Sequence, residues 1–270
     1  MRRMIWVVWA FISCSQVIDS GTSTDADTLV ITSINEAGSP VFITVHQQKG
    51  QSLEELKSLV FYILQDDKSY DTVTLERYEP RLYNEGYLLY FRGKKLPKEG
   101  RIQLKTHYKN QEVLAESSIP KLTPIINNAR FISTHRYQGY YEFDITYPEG
   151  YLMHDIKYYL TNNANPDKIH YANFNYEDKF YRSSNKQNKT IRINKNWDIP
   201  TLNKTYTLYI KLQTITQAQY LFQTSFKEQT DDANLLELIS GGKDRAIVSN
   251  IKNGFGIFSI SQPVYWSTTL

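Results

Sequence analysis

Residues 71–78, Asp-Thr-Val-Thr-Leu-Glu-Arg-Tyr, place Val73 and Leu75 on one side of an extended chain and Thr72, Thr74 and Glu76 on the other. A period of two is that of a half-buried β-strand. Working outward, runs of β-branched and aromatic residues occupy 29–34, 40–46, 59–64, 87–92, 101–107 and 112–118, with 35–39 as a turn. Seven short strands joined by turn signals predict a β-sandwich. Within it, residues 53–58 predict one helical turn, capped by the Ser52 hydroxyl.

Residues 119–124, Ile-Pro-Lys-Leu-Thr-Pro, carry two prolines. Proline fixes φ and lacks a ladder donor, so it suits a boundary better than a central strand. The expected division is a first domain over 28–122 and a second over 123–270. In the second, 129–134, 140–147, 156–161, 190–194, 205–215, 257–260 and 264–268 read as strands, the last two separated by Ser261-Gln262-Pro263. In the clearest of them, Tyr141, Phe143, Ile145 and Tyr147 alternate with Glu142, Asp144 and Thr146, one dry face and one wet. Residues 216–229 change period: Ala218, Leu221, Phe222, Ser225 and Phe226 share one side of a helix. The fold class expected is mainly β, two β-sandwich domains with a short helical insertion near the C-terminus.

Residues 162–189 predict a long loop with a short hairpin. Its Tyr171, Tyr176 and Tyr181, with Trp197 beyond, form either a ligand surface or a loop folded on its own rings.

The N-terminus carries another message. Arg2 and Arg3 precede an apolar run over 4–13, and small Ser13 stands directly before Cys14, the layout of a secretory signal. That run is too short for a bilayer, which takes about 17–25 residues. Cys14 is the only cysteine, so no internal disulfide is available to it. Phe11-Ile12-Ser13-Cys14 resembles the bacterial lipobox, with Phe11 in place of the usual Leu. The expectation is a signal peptide over 1–13, a lipidated Cys14 and a polar tether over 14–27; the plainer alternative is a structural cysteine in an uncleaved segment. Losing Arg2 and Arg3 with the signal takes the formal charge from +3 to +1. That leaves no electrostatic footprint for nucleic acid.

Residues 248–258, Val-Ser-Asn-Ile-Lys-Asn-Gly-Phe-Gly-Ile-Phe, carry the pattern Asn250-Ile251-x-Asn253-Gly254-x-Gly256-x-Phe258. This resembles the terminal signature of the Bacteroidota outer-membrane lipoprotein family labelled "domain of unknown function 4249". Tyr206-Thr207-Leu208, Tyr220 in the helix, the lipobox start and the strand running into Ile119-Pro120 are similar to that family too. The resemblance implies an immunoglobulin- or transthyretin-like β domain followed by a second β domain. It also implies an accessory role beside a TonB-dependent outer-membrane transporter, and it brings no catalytic residues. Physically, Asn253-Gly254 is a turn dipeptide. Gly256 between Phe255 and Phe258 marks a close backbone approach with aromatics on either side, a structural role rather than a phosphate cradle, which would need a following helix.

Catalytic patterns are missing. His46, His107, His135, His154 and His170 have no metal-type spacing, and no Gly-x-Ser-x-Gly elbow or Walker-type loop occurs. Asp66-Asp67 and Asp231-Asp232 read as solvated turns rather than Ca²⁺ loops. The reading is a non-enzymatic outer-membrane lipoprotein without cofactor or metal, on the periplasmic or surface face, beside a TonB-dependent transporter. A glycan-binding or glycan-cleaving surface protein and a purely structural envelope component are the alternatives.

Overall fold

The computed structural model describes residues 16–18, 28–81, 86–135, 138–162, 165–173, 180–196, 204–227 and 247–269. Strands β1 (Gln16–Ile18), β2 (Val30–Glu36) and β3 (Pro40–His46) precede helix α1 (Leu53–Lys57). Then come β4 (Phe61–Gln65), β5 (Lys68–Val73), β6 (Leu75–Pro80), β7 (Tyr87–Lys95), β8 (Arg101–Tyr108) and β9 (Gln111–Ser118). They are followed by β10 (Ile125–His135), β11 (Gln138–Tyr147), β12 (Gly150–Asn162), β13 (Asn165–Asn173), β14 (Phe180–Ser183), β15 (Gln187–Asn196) and β16 (Lys204–Ile215). Helix α2 (Gln217–Lys227) and strands β17 (Ile247–Ser249), β18 (Ile251–Lys252) and β19 (Phe255–Thr269) complete the described order.

The protein is mainly β. Its spine is a nine-stranded sheet ordered β13-β12-β16-β19-β2-β3-β7-β6, with β14 also on β12. A five-stranded sheet, β18-β9-β8-β4-β5, covers the β19-to-β6 half. Inward residues Ile31, Ile43, Val45, Leu89 and Phe91 meet Phe61, Ile63, Ile102, Leu104 and Val113 in one buried core. The Phe61 and Phe91 rings touch edge to face at 4.9 Å. Each such side chain contributes about 1.5–3 kcal/mol by leaving water. A three-stranded sheet, β10-β11-β15, lies over the other half, where Phe143 packs edge to face on Trp266 at 5.7 Å. Phe258, Ile260 and Trp266 share one parity along β19, so both smaller sheets cover the same face of the spine.

The 71–78 alternation is real, but it belongs to two strands. The chain leaves the five-stranded sheet as β5 and enters the spine as β6, changing at Thr74. Gly93 on β7 makes room for this crossing: a Cβ there would lie 2.6 Å from both the Asp71 carboxylate and Val41. The Asp71 carboxylate accepts the Lys94 backbone N–H at 2.7 Å, which pins the crossing.

Several expectations need correction. The two short strands predicted at the end are one fifteen-residue strand, β19. Residues 255–261 run parallel to β2, and from Gln262 the strand pairs antiparallel with β16. Pro263, which has no donor to give, stands directly after this change of partner. Consequently the boundary at 122/123 does not divide the chain cleanly, because Ile251, Phe258 and Ile260 belong to the first core. The stretch 162–189, expected as a long loop with a short hairpin, holds β13, β14 and the start of β15; register against β12 supplies what local propensity did not. Within the expected tether over 14–27, Gln16–Ile18 pairs with Ile247–Ser249, and Cys14 lies outside the described residues. Glu142, expected on a wet face, is buried beneath the Arg130 guanidinium, whose Nε donates to it at 2.8 Å.

Helix α2 answers the expected 216–229 closely. Thr216 is its cap rather than its first residue: the hydroxyl accepts from Gln219 N–H at 3.2 Å. It packs on β19, where Ser259 donates to Gln219 Oε1 at 2.9 Å. Ser259 alternates with Phe258 and Ile260, so the helix covers the face of the spine opposite the core.

Candidate functional site

The signature residues come together at the end of β17. Asn250 acts as a double-ended clamp: its amide donates to Phe258 O at 2.7 Å and its carbonyl accepts from Phe258 N–H at 2.9 Å. The Ser249 hydroxyl accepts from both Ile251 N–H (3.2 Å) and Gly256 N–H (3.1 Å). Asn253 takes φ 55° alone in the turn, and its amide donates to Glu112 O at 2.9 Å. Gly254 is needed for space, since a Cβ would lie 2.9 Å from the Leu29 carbonyl oxygen. Gly256 has φ +119°, and a Cβ there would overlap the Ile31 carbonyl outright. Phe258 enters the core while Phe255 takes the other face, opposite Val30. These residues hold backbone to backbone, and the polar atoms of Asn250 and Ser249 are occupied in doing so.

Of the expected aromatic surface, Tyr171 and Tyr181 occupy separate strand positions. Tyr171 stands opposite Tyr159 of β12 and Tyr181 opposite Leu152. Seven residues of strand separate those positions, roughly 23 Å at about 3.3 Å per residue. Tyr176 and Trp197 lie outside the described residues, as does Cys14.

The structure offers a different candidate, an open groove of about 330 Å³ between α1 and the β8–β9 hairpin. The Ser52 cap sets α1: its hydroxyl accepts from Glu55 N–H at 3.4 Å, and Leu56 anchors the helix in the core. Glu55 and Ser58 therefore face the groove. Its floor is Leu59 and Val60, fixed where the Thr106 hydroxyl donates to Val60 O at 2.8 Å. Its far wall is His107, Tyr108 and Lys109, turned by positive φ at Lys109 and Asn110 (45° and 62°). Tyr62 adds a ring that is 47% exposed. Among the described residues, the Glu55 carboxylate and the His107 imidazole take no hydrogen-bond or ion-pair partner. The groove thus presents a carboxylate, an imidazole and a fixed aromatic face to solvent, which suits a polar ligand with one flat apolar side.

In the sequence His107 stands out only for the metal spacing it lacks, and the groove is not visible there. The one local signal for it was Asn110, a residue that tolerates φ > 0 between two strands. Among the described residues no three His, Cys, Asp or Glu side chains are arranged to hold a metal. None of the described helices is long and apolar enough to cross a membrane, which says nothing of a β-barrel. No protein-family model matches the chain, and no curated protein matches it either.

Proposed function

We propose that this is an exported, lipid-anchored protein of the outer membrane that acts by binding, as an accessory to a TonB-dependent transporter. The carrying observation is Cys14, the chain's only cysteine, standing directly behind Arg2, Arg3 and the apolar run over 4–13. The geometry is consistent with this role: Asn250 to Phe258, the most specific part of the resemblance, serve as an internal clamp, which leaves outer surfaces for a partner. On this reading the two smaller sheets and the spine form two β-sandwich units of immunoglobulin or transthyretin type, fused through β19. Several acyl chains, at about 0.8 kcal/mol per buried methylene, hold such a protein on a bilayer essentially permanently. Labelling with a palmitate analogue and fractionation test the anchor: wild type labels and sediments with membranes, and Cys14→Ser does neither. Affinity purification from detergent-solubilised membranes tests the partner, and recovery of the protein without a transporter overturns the accessory role.

A second reading is favoured by the exposed Tyr62 ring beside His107 and Glu55: the groove binds a glycan. Calorimetry with oligosaccharides tests it. Tyr62→Ala abolishes the binding heat while leaving stability within about 0.5 kcal/mol of wild type, as for surface changes generally.

A further inference from the structure

At the opposite end of the first core, β3, β6 and β7 carry polar atoms that have no partner among the described residues. Arg81 follows β6, and its backbone N–H donates to Gly86 O at 3.1 Å. Gly86, at φ +112°, lets the Gln47 backbone approach: a Cβ there would sit 3.3 Å from Gln47 O. Gln47 N–H in turn donates to Tyr87 O at 3.0 Å. His46 and Glu79 both stand opposite Leu88 of β7, so they share the outer face of the spine, and Arg81 follows Glu79 by two.

Glu79, two residues before Arg81, is already engaged. Tyr90 OH donates to Glu79 Oε1 at 2.6 Å and Arg77 to Glu79 Oε2 at 3.1 Å. Arg81 is left with Nε and Nη2 buried and, among the described residues, unpaired. These two nitrogens form the side-on edge of the guanidinium, the fork that receives both oxygens of a carboxylate. His46, 5% exposed, meets Thr32 Oγ1 through Nε2 at 3.1 Å, while its Nδ1 is buried without a partner. Gln47 donates through Nε2 to Gln51 O at 2.8 Å, and its Oε1 is buried and unpaired. Burial first, and Arg81 second, push His46 down to about 4, so the imidazole is neutral near pH 7 and Arg81 supplies the only charge of the trio. In the tautomer in which the Thr32 hydroxyl donates to Nε2, the proton of the neutral ring sits on Nδ1. The trio then presents three donors, one acceptor and a single positive charge. Arg81 as a whole is half-buried, but a guanidinium edge withdrawn from water without a counter-charge destabilises the fold, and an anion is the group that matches it.

We propose that Arg81, His46 and Gln47 form a binding site for a small carboxylate ligand. The carboxylate lies on the Nε–Nη2 edge of Arg81, one of its oxygens also takes the His46 Nδ1 proton, and Gln47 Oε1 accepts from a hydroxyl or ammonium on the carbon beside it. This site is separate from the Tyr62 groove and independent of membrane anchoring.

The test is calorimetry and thermal unfolding of the full processed chain in detergent with sodium acetate, glycolate or phosphate, against chloride at equal ionic strength. Acetate and glycolate give saturable binding and a rising Tm, glycolate at least threefold tighter through Gln47. Arg81→Lys, which keeps the charge and loses the fork, weakens both at least tenfold. Arg81→Met removes an unmatched charge, so it raises Tm in chloride and abolishes the carboxylate response. No response beyond chloride, or a phosphate response equal to that of acetate, overturns the site. So does an Arg81→Met variant that loses Tm in chloride while acetate leaves wild type unmoved, since Arg81 would then be matched from within.

Discussion

Two polar clusters flank the first core and treat their hydrogen bonds in opposite ways. Around Asn250 the Ser249 hydroxyl and both ends of the Asn250 amide are matched, each to a backbone group of the same segment. Around Arg81 the polar atoms are buried to a similar depth, yet the Arg81 edge, His46 Nδ1 and Gln47 Oε1 are unmatched. A matched cluster fixes a backbone path and has no further capacity. An unmatched one destabilises the fold until something from outside completes it. The contrast separates a residue pattern that is specific because it is structural from one that is open to a ligand.

The largest way to break the contrast is at Gly256. Gly256→Ala places a methyl group into the Ile31 carbonyl at a φ that L residues rarely adopt. A loss above about 4 kcal/mol is expected, read as failure to give a cooperative melt. Acid is the next largest, and it acts on the other cluster. His46 falls to about 4 in the fold against 6.5 in the unfolded chain. The unfolded state therefore binds the extra proton between those values, and His46's contribution is full above pH 6.5 and lost as pH falls toward 4. The loss is roughly 3 kcal/mol, visible in denaturant melts across pH, and His46→Gln removes that part of the slope. Smallest is Asn250→Ala, which orphans the N–H and carbonyl of Phe258 at a cost of about 2 kcal/mol by chemical denaturation. If Asn250→Ala costs nothing, the clamp is not what holds β19, and the contrast between the clusters fails.

Local features were legible in the sequence and distant pairings were not. The alternation at 71–78 and at Tyr141–Tyr147, the Ser52 cap and the Asn253-Gly254 turn all follow from neighbouring residues. The same alternation could not show that Thr74 sits between two sheets, because that depends on Gly93 clearing space on another strand. Nothing near Phe255 names β2 as its partner, since Val30 and Phe255 are 225 positions apart. The domain boundary therefore fell where the prolines are, although the last strand returns across it. The groove was hidden for a similar reason: Glu55, Tyr62 and His107 lie on three elements. Arg81 carries no signal of its own in the sequence, because its situation depends on Glu79 being engaged by Arg77 and Tyr90.

The fifteen-residue β19 also sets a clock. Its parallel place beside β2 must stay open until residues 255–261 exist. At about 5–20 residues per second, that is a wait of roughly ten to forty seconds after β3 is synthesised. Through that interval the first core lacks Phe258 and Ile260, and the edge of β2 is unsealed. A nascent chain of this kind resists premature closure by its own topology, because its first core is completed from its last described strand.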